Sequence, residues 1–365
     1  MTSRSDLQRW RGRLKRGAAS VISRLGSPRL RLRHRGGYRP LVLGYHRVVE
    51  DFVEASRSDM PSMLTSSAMF ERHLDLIGRR FRFVGLDEIG EAVRHGVPFD
   101  TPVAAVTFDD GYQDVYDNAV PILKRKGIPA AAFVVTDLVG RRAWQAHDKL
   151  YHLVEKAFAE SGDPRRRLHG VLADLGLPAS HILRDRRATA SPHLAVSALL
   201  PNLSRVDTGR VMSRLEWLVG NGFVNVPQTM SWAALAGMQR DGFTIGSHTR
   251  THVSLPMESF ASAEDELAES KRVLERHLGT AINHFAYPGG QFTPGVVDVL
   301  EQCGYRYAYT ACPHSDPRHP ALTIERLLLW ERSSIDADGR FYPAILDCQS
   351  QQLWPPARIC RRAHQ

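Results

Sequence analysis

The sequence predicts a parallel α/β fold interrupted by a block of helices. Three observations carry that reading: short apolar runs that stop at turn residues, helical periodicities between them, and a stretch near 141–225 where β-like runs cease. The first apolar run, 41–46, ends in Gly44-Tyr45-His46, and helical spacing follows at 70–77 and 86–93. Val103-Ala104-Ala105-Val106-Thr107-Phe108 reads as a second buried strand, stopped by Asp109-Asp110-Gly111. A helix over 119–126 closes at Gly127, and 130–135 forms a third strand. Segment 141–225 is rich in Leu, Arg and Ala, with helical runs at 150–158 and 211–219, so it is expected to be a helical insertion. Alternation resumes with a helix at 231–239 and a strand at 243–247. Ser262, with Asp265 three residues on, is placed to cap a helix that runs to His277 and closes at Gly279. A strand at 282–287, a helix at 296–302 and a strand at 305–310 complete the pattern. From Asp336 onward the chain reads as irregular and punctuated by proline.

The length of 365 residues suits one large α/β domain with an insertion, or two to three smaller ones. The expected organisation is a basic arm at 1–40, a catalytic-type body at 41–335 interrupted at about 141–225, and a tail at 336–365. Net charge is +9, but residues 1–39 hold twelve of the 48 basic side chains and one of the 39 acidic ones. The remaining body is close to neutral, so no broad basic face is expected and nucleic acid is not a predicted partner. No run approaches the ~18 apolar residues of a spanning helix. Cys303, Cys312, Cys348 and Cys360 form no C-x-x-C pair and no disulfide framework.

The arm lacks the apolar core of a secretory signal. Leu7, Trp10, Leu14, Ala18, Val21, Ile22 and Leu25 recur at three- and four-residue steps among Arg9, Arg11, Arg13 and Arg16. That pattern suits a basic amphipathic helix on an anionic membrane surface, the alternative being a solvated tail. The expected location is therefore cytoplasmic, or peripheral on the inner membrane face through residues 1–36.

Chemistry concentrates at three strand ends. Asp109-Asp110-Gly111 puts two carboxylates where a strand terminates, and Gly111 permits the turn that lets both face one site. In parallel α/β folds the C-terminal strand ends form the ligand side. An Asp helix cap with a solvated neighbour remains the plain alternative. His248-Thr249-Arg250-Thr251-His252 spaces two imidazoles one helical turn apart, so both can converge on one metal ion. Alone that spacing also arises as a chance surface pair. With the Asp pair it makes a set of two His and one carboxylate with positions left open for water and substrate. Phe285-Ala286-Tyr287-Pro288-Gly289-Gly290 leaves backbone N–H groups available to an oxyanion, or is an ordinary tight turn.

The motifs T-F-D-D-G, H-T-x-x-H and F-x-Y-P-G-G, in that order, resemble the first three motifs of the polysaccharide deacetylases with a NodB-like domain, also called carbohydrate esterase family 4. Tyr45-His46-Arg47-Val48 resembles the strand opening of the subgroup that handles bacterial exopolysaccharides. The resemblance covers about 41–140 and 226–330. It implies a distorted (β/α) barrel and metal-dependent removal of acetyl groups from an N-acetylated glycan. By the same resemblance Asp110, His248 and His252 would hold a divalent metal, most often zinc. Asp109 would be the general base, and Tyr287 and Gly289 would border the oxyanion.

The chain departs from the family at two points. The Arg that often orients the base in the third motif is replaced by Ala286, and the late L-x-H motif that supplies the general acid is absent at Leu327-Leu328-Leu329-Trp330. The candidate acids are His46, at the end of a strand expected beside the Asp109 strand, with a structural histidine as its alternative, and His314 on the loop after Tyr309. His314 and His319, in a proline-rich loop, are expected to face solvent. Two rival functions share the pattern: an O-acetyl carbohydrate esterase, and a non-catalytic membrane-associated glycan-binding protein with a degenerate site.

Overall fold

A computed structural model describes residues 33–34, 36–220, 228–336 and 338–352; most of the basic arm, including its apolar periodicity, lies outside them. Seven strands close into a parallel barrel: β1 (Leu41–Tyr45), β2 (Val103–Phe108), β3 (Ala130–Val134), β4 (Thr244–Ser247), β5 (His284–Ala286), β6 (Tyr307–Thr310) and β7 (Ile324–Leu328). Each pairs with the next in chain order, and β7 pairs with β1 to complete the ring. The short strand Arg82–Phe83 extends the sheet beside the start of β2. The expected parallel α/β barrel is thus present, but β7 is a strand that periodicity alone did not single out. Its sequence, Ile324-Glu325-Arg326-Leu327-Leu328, carries two charges and lacks the continuous apolar run of a strand buried on both faces.

Alternation sorts the side chains. Leu41, Leu43, Ala104, Val106, Ala132, Val134, Phe285 and Ala308 face the outer helices in the main core. Val42, Ala105, Ala131, Phe133, Ala286, Tyr309 and Ile324 fill the barrel interior. Room inside is tight. A Cβ on Gly246 of β4 would lie 2.6 Å from the Phe133 ring and 2.8 Å from the His284 carbonyl oxygen.

The outer helices are α1 (Ser67–Gly78), α2 (Leu86–His95), α3 (Val120–Lys126), then the insertion helices α4 (Ala146–Ala159), α5 (Pro164–Asp174), α6 (Pro192–Leu199) and α7 (Arg205–Val219). They are followed by α8 (Trp232–Arg240), α9 (Phe260–Leu278), α10 (Pro294–Gln302) and α11 (Pro343–Ser350). The insertion is helical, as expected, and has a core of its own in which Leu150, Leu153, Leu172, Leu199, Val211 and Leu215 are buried together.

Two local expectations are corrected. The cap of α9 is Ser259, whose hydroxyl accepts from Ser262 N–H, while Ser262 lies inside the helix and bonds Glu258. Glu258 and Ser259 precede the apolar run closely enough that two serines three apart both read as caps. The tail is not wholly irregular: α11 packs on α1, buries Leu346 and pairs Asp347 with Arg80 at 3.2 Å. Pro343 looked like a breaker, but at the first helical position its missing N–H costs no hydrogen bond.

Gly246→Ala should destabilise the protein by about 1–3 kcal/mol, the usual cost of overpacking, read as a lower urea midpoint at unchanged slope.

Candidate functional site

The site forms at the C-terminal mouth of the barrel, where β2 stops. Asp109 continues the inward parity of Ala105 and Thr107, and its N–H donates to the Tyr45 carbonyl of β1. Asp110 then adopts φ 71° and Gly111 φ 72°. Two successive left-handed residues turn both carboxylates to one side, which a continuing strand would not allow. The turn is strained for Asp110, and Gly111 has a neighbour too: a Cβ there would meet Val134 at 2.9 Å.

The two carboxylates meet opposite surroundings. Asp109 is gripped by Arg326 of β7, whose Nη1 and Nη2 donate to Oδ1 and Oδ2, each at 2.7 Å. The guanidinium also donates to Thr107 Oγ1 at 3.1 Å and lies over the Phe133 ring inside the barrel. Burial alone would raise the Asp109 pKa, but Arg326, with smaller help from His248 and His46, lowers it to about 2. Arg326 is a residue that sequence reasoning missed: it grips Asp109 where the third motif carries Ala286 in place of an Arg. Its inward parity on a strand next to β1 was the available signal, hidden because β7 itself went unread.

Asp110 has no such partner. Both its carboxylate oxygens are buried and make no hydrogen bond. Burial, then the charges of Asp109 and Asp148, push its pKa well above the ordinary carboxylate range. Around it stand three imidazoles. His252 Nε2 and His248 Nε2 lie 3.3 Å and 3.6 Å from Oδ1, and His147 Nε2 lies 3.6 Å from Oδ2. Donor atoms of Asp110, His147 and His252 all fall within 4.8 Å of one another. Bare buried oxygens facing neutral imidazoles are what a divalent cation requires, so the residues present fit a metal.

The histidine pair reaches Asp110 by a route other than the expected helical turn. Residues 248–252 form a loop after β4, with Thr249 at φ 67° and His252 at φ 61°. Glu266 of α9, fully buried, pins that loop by accepting from the N–H groups of Arg250 and Thr251 and from the Thr251 hydroxyl. Thr249 Oγ1 accepts from His252 N–H at 2.9 Å. His248 Nδ1 lies 2.7 Å from the Ala286 carbonyl. Since a carbonyl only accepts, Nδ1 carries the proton and Nε2 keeps its lone pair toward Asp110. Burial lowers the pKa of His248 and, more strongly, of His252.

His46 follows β1 and sits among Asp109, His147, Arg326 and His248; burial is the main cause that lowers it to about 4. Gly289 (φ 62°) lines a groove beside His252. Its opposite wall is Leu200, Leu203 and Met212 of the insertion, and Gln291 Oε1 is buried there without a hydrogen bond. Tyr287 does not reach the groove. Its N–H donates to the Tyr309 carbonyl, its hydroxyl to the Leu322 carbonyl, and its ring packs on Phe285 and Phe292. The barrel ladder and core therefore use the Tyr287 groups that were expected to border an oxyanion. His314 is exposed beside Cys312, and His319 pairs with Glu301 and Asp298 of α10. His147, in the first turn of α4, was also missed, because it lies in the insertion, outside every motif.

A family model described as polysaccharide deacetylase matches residues 96–161 and 196–308. The poly-beta-1,6-N-acetyl-D-glucosamine N-deacetylase of Staphylococcus aureus (strain MSSA476) is 30% identical over 118 residues. That stretch spans 30% of this chain and 40% of the relative's length. The solved structure of IcaB from Ammonifex degensii is similar in fold, with a TM-score of 0.52 and 20% identity, covering 86% of this chain and 97% of that one. The Streptococcus pyogenes deacetylase PplD, solved with acetate, also has a TM-score of 0.52, at 15% identity, covering 83% and 96%.

The buried imidazoles make the metal-free protein acid-sensitive. His46, held near 4, and His73 and His147, both held near 3, stay neutral in the fold but take up protons below about 6.5 when unfolded. The unfolded state then binds more protons, so stability present above about pH 6.5 is lost as pH falls toward 3 to 4. Urea midpoints of chelated protein between pH 8 and pH 4 should decline with a slope that shrinks when His73 is replaced by Asn.

Proposed function

Since the chain belongs to the polysaccharide deacetylase family, we propose that it is a hydrolase removing acetyl groups from the nitrogen of an N-acetylated polysaccharide or oligosaccharide. The observation that carries this is the pairing of an Arg-clamped, ionised Asp109 with an unpartnered, imidazole-ringed Asp110 on adjacent residues. Asp110, His248 and His252 would hold the cation, zinc or another divalent ion, which when bound supplies Lewis-acid polarisation of the acetyl carbonyl and the attacking water.

The chain's own groups do the rest. Asp109, ionised throughout the working pH range, takes the proton of the water whose oxygen attacks the acetyl carbon. Arg326 fixes the carboxylate's orientation through two parallel bonds, so the basic oxygen is aimed without a search over rotamers. The Gly289 amide, on the groove wall next to His252, is the proposed donor to the developing oxyanion. His46, neutral at rest beside Asp109, receives the proton and hands it to the departing nitrogen. The C–N bond breaks, and acetate and a free sugar amine leave. Gln291 Oε1, buried with no bond of its own, can accept from a sugar hydroxyl or N–H in the same groove.

Purified protein supplied with a divalent metal should release acetate from N-acetylglucosamine oligomers, and chelation should abolish this. Asp110→Ala or His248→Ala should lose both metal and turnover; activity surviving either would refute the mechanism. Asp109→Asn should retain metal and lower kcat by about 10²–10⁴-fold, with Arg326→Met close behind at unchanged metal content. His46→Ala should cost N-acetyl substrates far more than an aryl acetate ester, whose leaving group needs no proton. Equal losses on both would remove His46 as the acid.

A further inference from the structure

We infer that the helical insertion completes the metal centre: His147, from the first turn of α4, is an additional imidazole ligand, and cation binding fastens the insertion onto the barrel mouth. The inference rests on reading Asp110, His248 and His252 as a metal site, and it concerns a residue outside all three motifs.

The carboxylate of Asp110 has two buried faces. His248 and His252 approach Oδ1, whereas His147 alone approaches Oδ2, at 3.6 Å. Its ring lies 4.9 Å from that of His252, against 5.0 Å between His248 and His252, so His252 stands equally close to both. Donors bound at about 2.0–2.2 Å to one ion stand at most about 4.4 Å apart, close to the 4.8 Å that encloses Asp110, His147 and His252 here.

The segment around His147 is tied to the Asp110 turn at three places. Gln145 Nε2 donates to the Asp110 carbonyl at 2.9 Å, and Asp148 Oδ2 accepts from the Tyr112 hydroxyl at 2.6 Å. The same hydroxyl lies 2.8 Å from His147 Nε2. With its proton committed to Asp148, the Tyr112 hydroxyl accepts from His147 Nε2–H and orients the imidazole; ligation would move that ring proton to Nδ1 and free the Nε2 lone pair for the cation. A purely structural His147, bonded to Tyr112 and nothing else, would make the insertion indifferent to metal. Four protein donors leave positions open for water and substrate only on an ion that accepts five or six ligands, which makes cobalt(II) the suitable probe.

The test uses the full-length protein loaded with cobalt(II). His147→Cys places a thiolate at the position, and ligation gives a sulfur-to-cobalt charge-transfer band in the near ultraviolet that the wild type lacks; His252→Cys is the control. Because the shorter Cys side chain can fall short of the ion, hydrogen exchange is the second readout. Cobalt should slow exchange across 146–159 in the wild type and in Tyr112→Phe. In His147→Ala at saturating metal that protection should vanish, with affinity lowered about tenfold or more. A band for His252→Cys but none for His147→Cys, with the α4 protection intact in His147→Ala, overturns the inference and leaves the metal site standing. Absence of cobalt binding in the wild type removes both.

Discussion

A carboxylate held out of water with neither oxygen hydrogen-bonded is costly, and the mouth of this barrel is organised around one. Asp110 sits where the sheet can no longer supply N–H donors, on a left-handed residue that points its side chain inward. Among the described residues its nearest ionisable side chains are imidazoles, and neither oxygen has a hydrogen-bond donor. Ionised and alone it would destabilise the fold by several kcal/mol. A divalent cation would convert the same arrangement into a source of binding energy, and on the proposed function that would offset the strain and burial at this turn.

Adjacent placement of the two acids then becomes an electrostatic device. Burial and the Asp109 charge raise the pKa of Asp110, whereas Arg326 outweighs burial at Asp109 and holds it ionised. That leaves Asp110 as the group proposed to meet a cation. The Arg works from the strand that closes the ring, reaching across Thr107 within the barrel interior. Closure is therefore more than architecture here: an open sheet ending at β6 would leave Asp109 without its clamp.

The insertion is joined to this chemistry at its root and at its far end. Gln145, His147 and Asp148 engage the Asp110–Tyr112 turn, and Leu200, Leu203 and Met212 return to form a wall of the groove beside His252. Its apolar residues pack in a cluster distinct from the barrel core, joined by Met60 from the loop before α1. A glycan chain entering the groove would touch barrel and insertion together.

Local chemistry alone announced much of the molecule. Apolar runs with turn residues at their ends marked six of the barrel strands, because a strand buried on both faces has little choice of side chain. Three short motifs located Asp109, Asp110, His248 and His252, because a strand terminus, a left-handed turn and a pair of imidazoles leave a signature within a few residues. Arg326, His147 and the pinning Glu266 left none. Their roles come from partners 217, 37 and 16 or fewer positions away in the chain, with no fixed spacing between them. Only the closing of the ring could set the guanidinium of β7 against Asp109, and only the docking of the insertion could bring an imidazole to the second face of Asp110. Side chains that act across sequence distance are chosen by the space they fill and the charge they meet, and those are properties of the assembled fold.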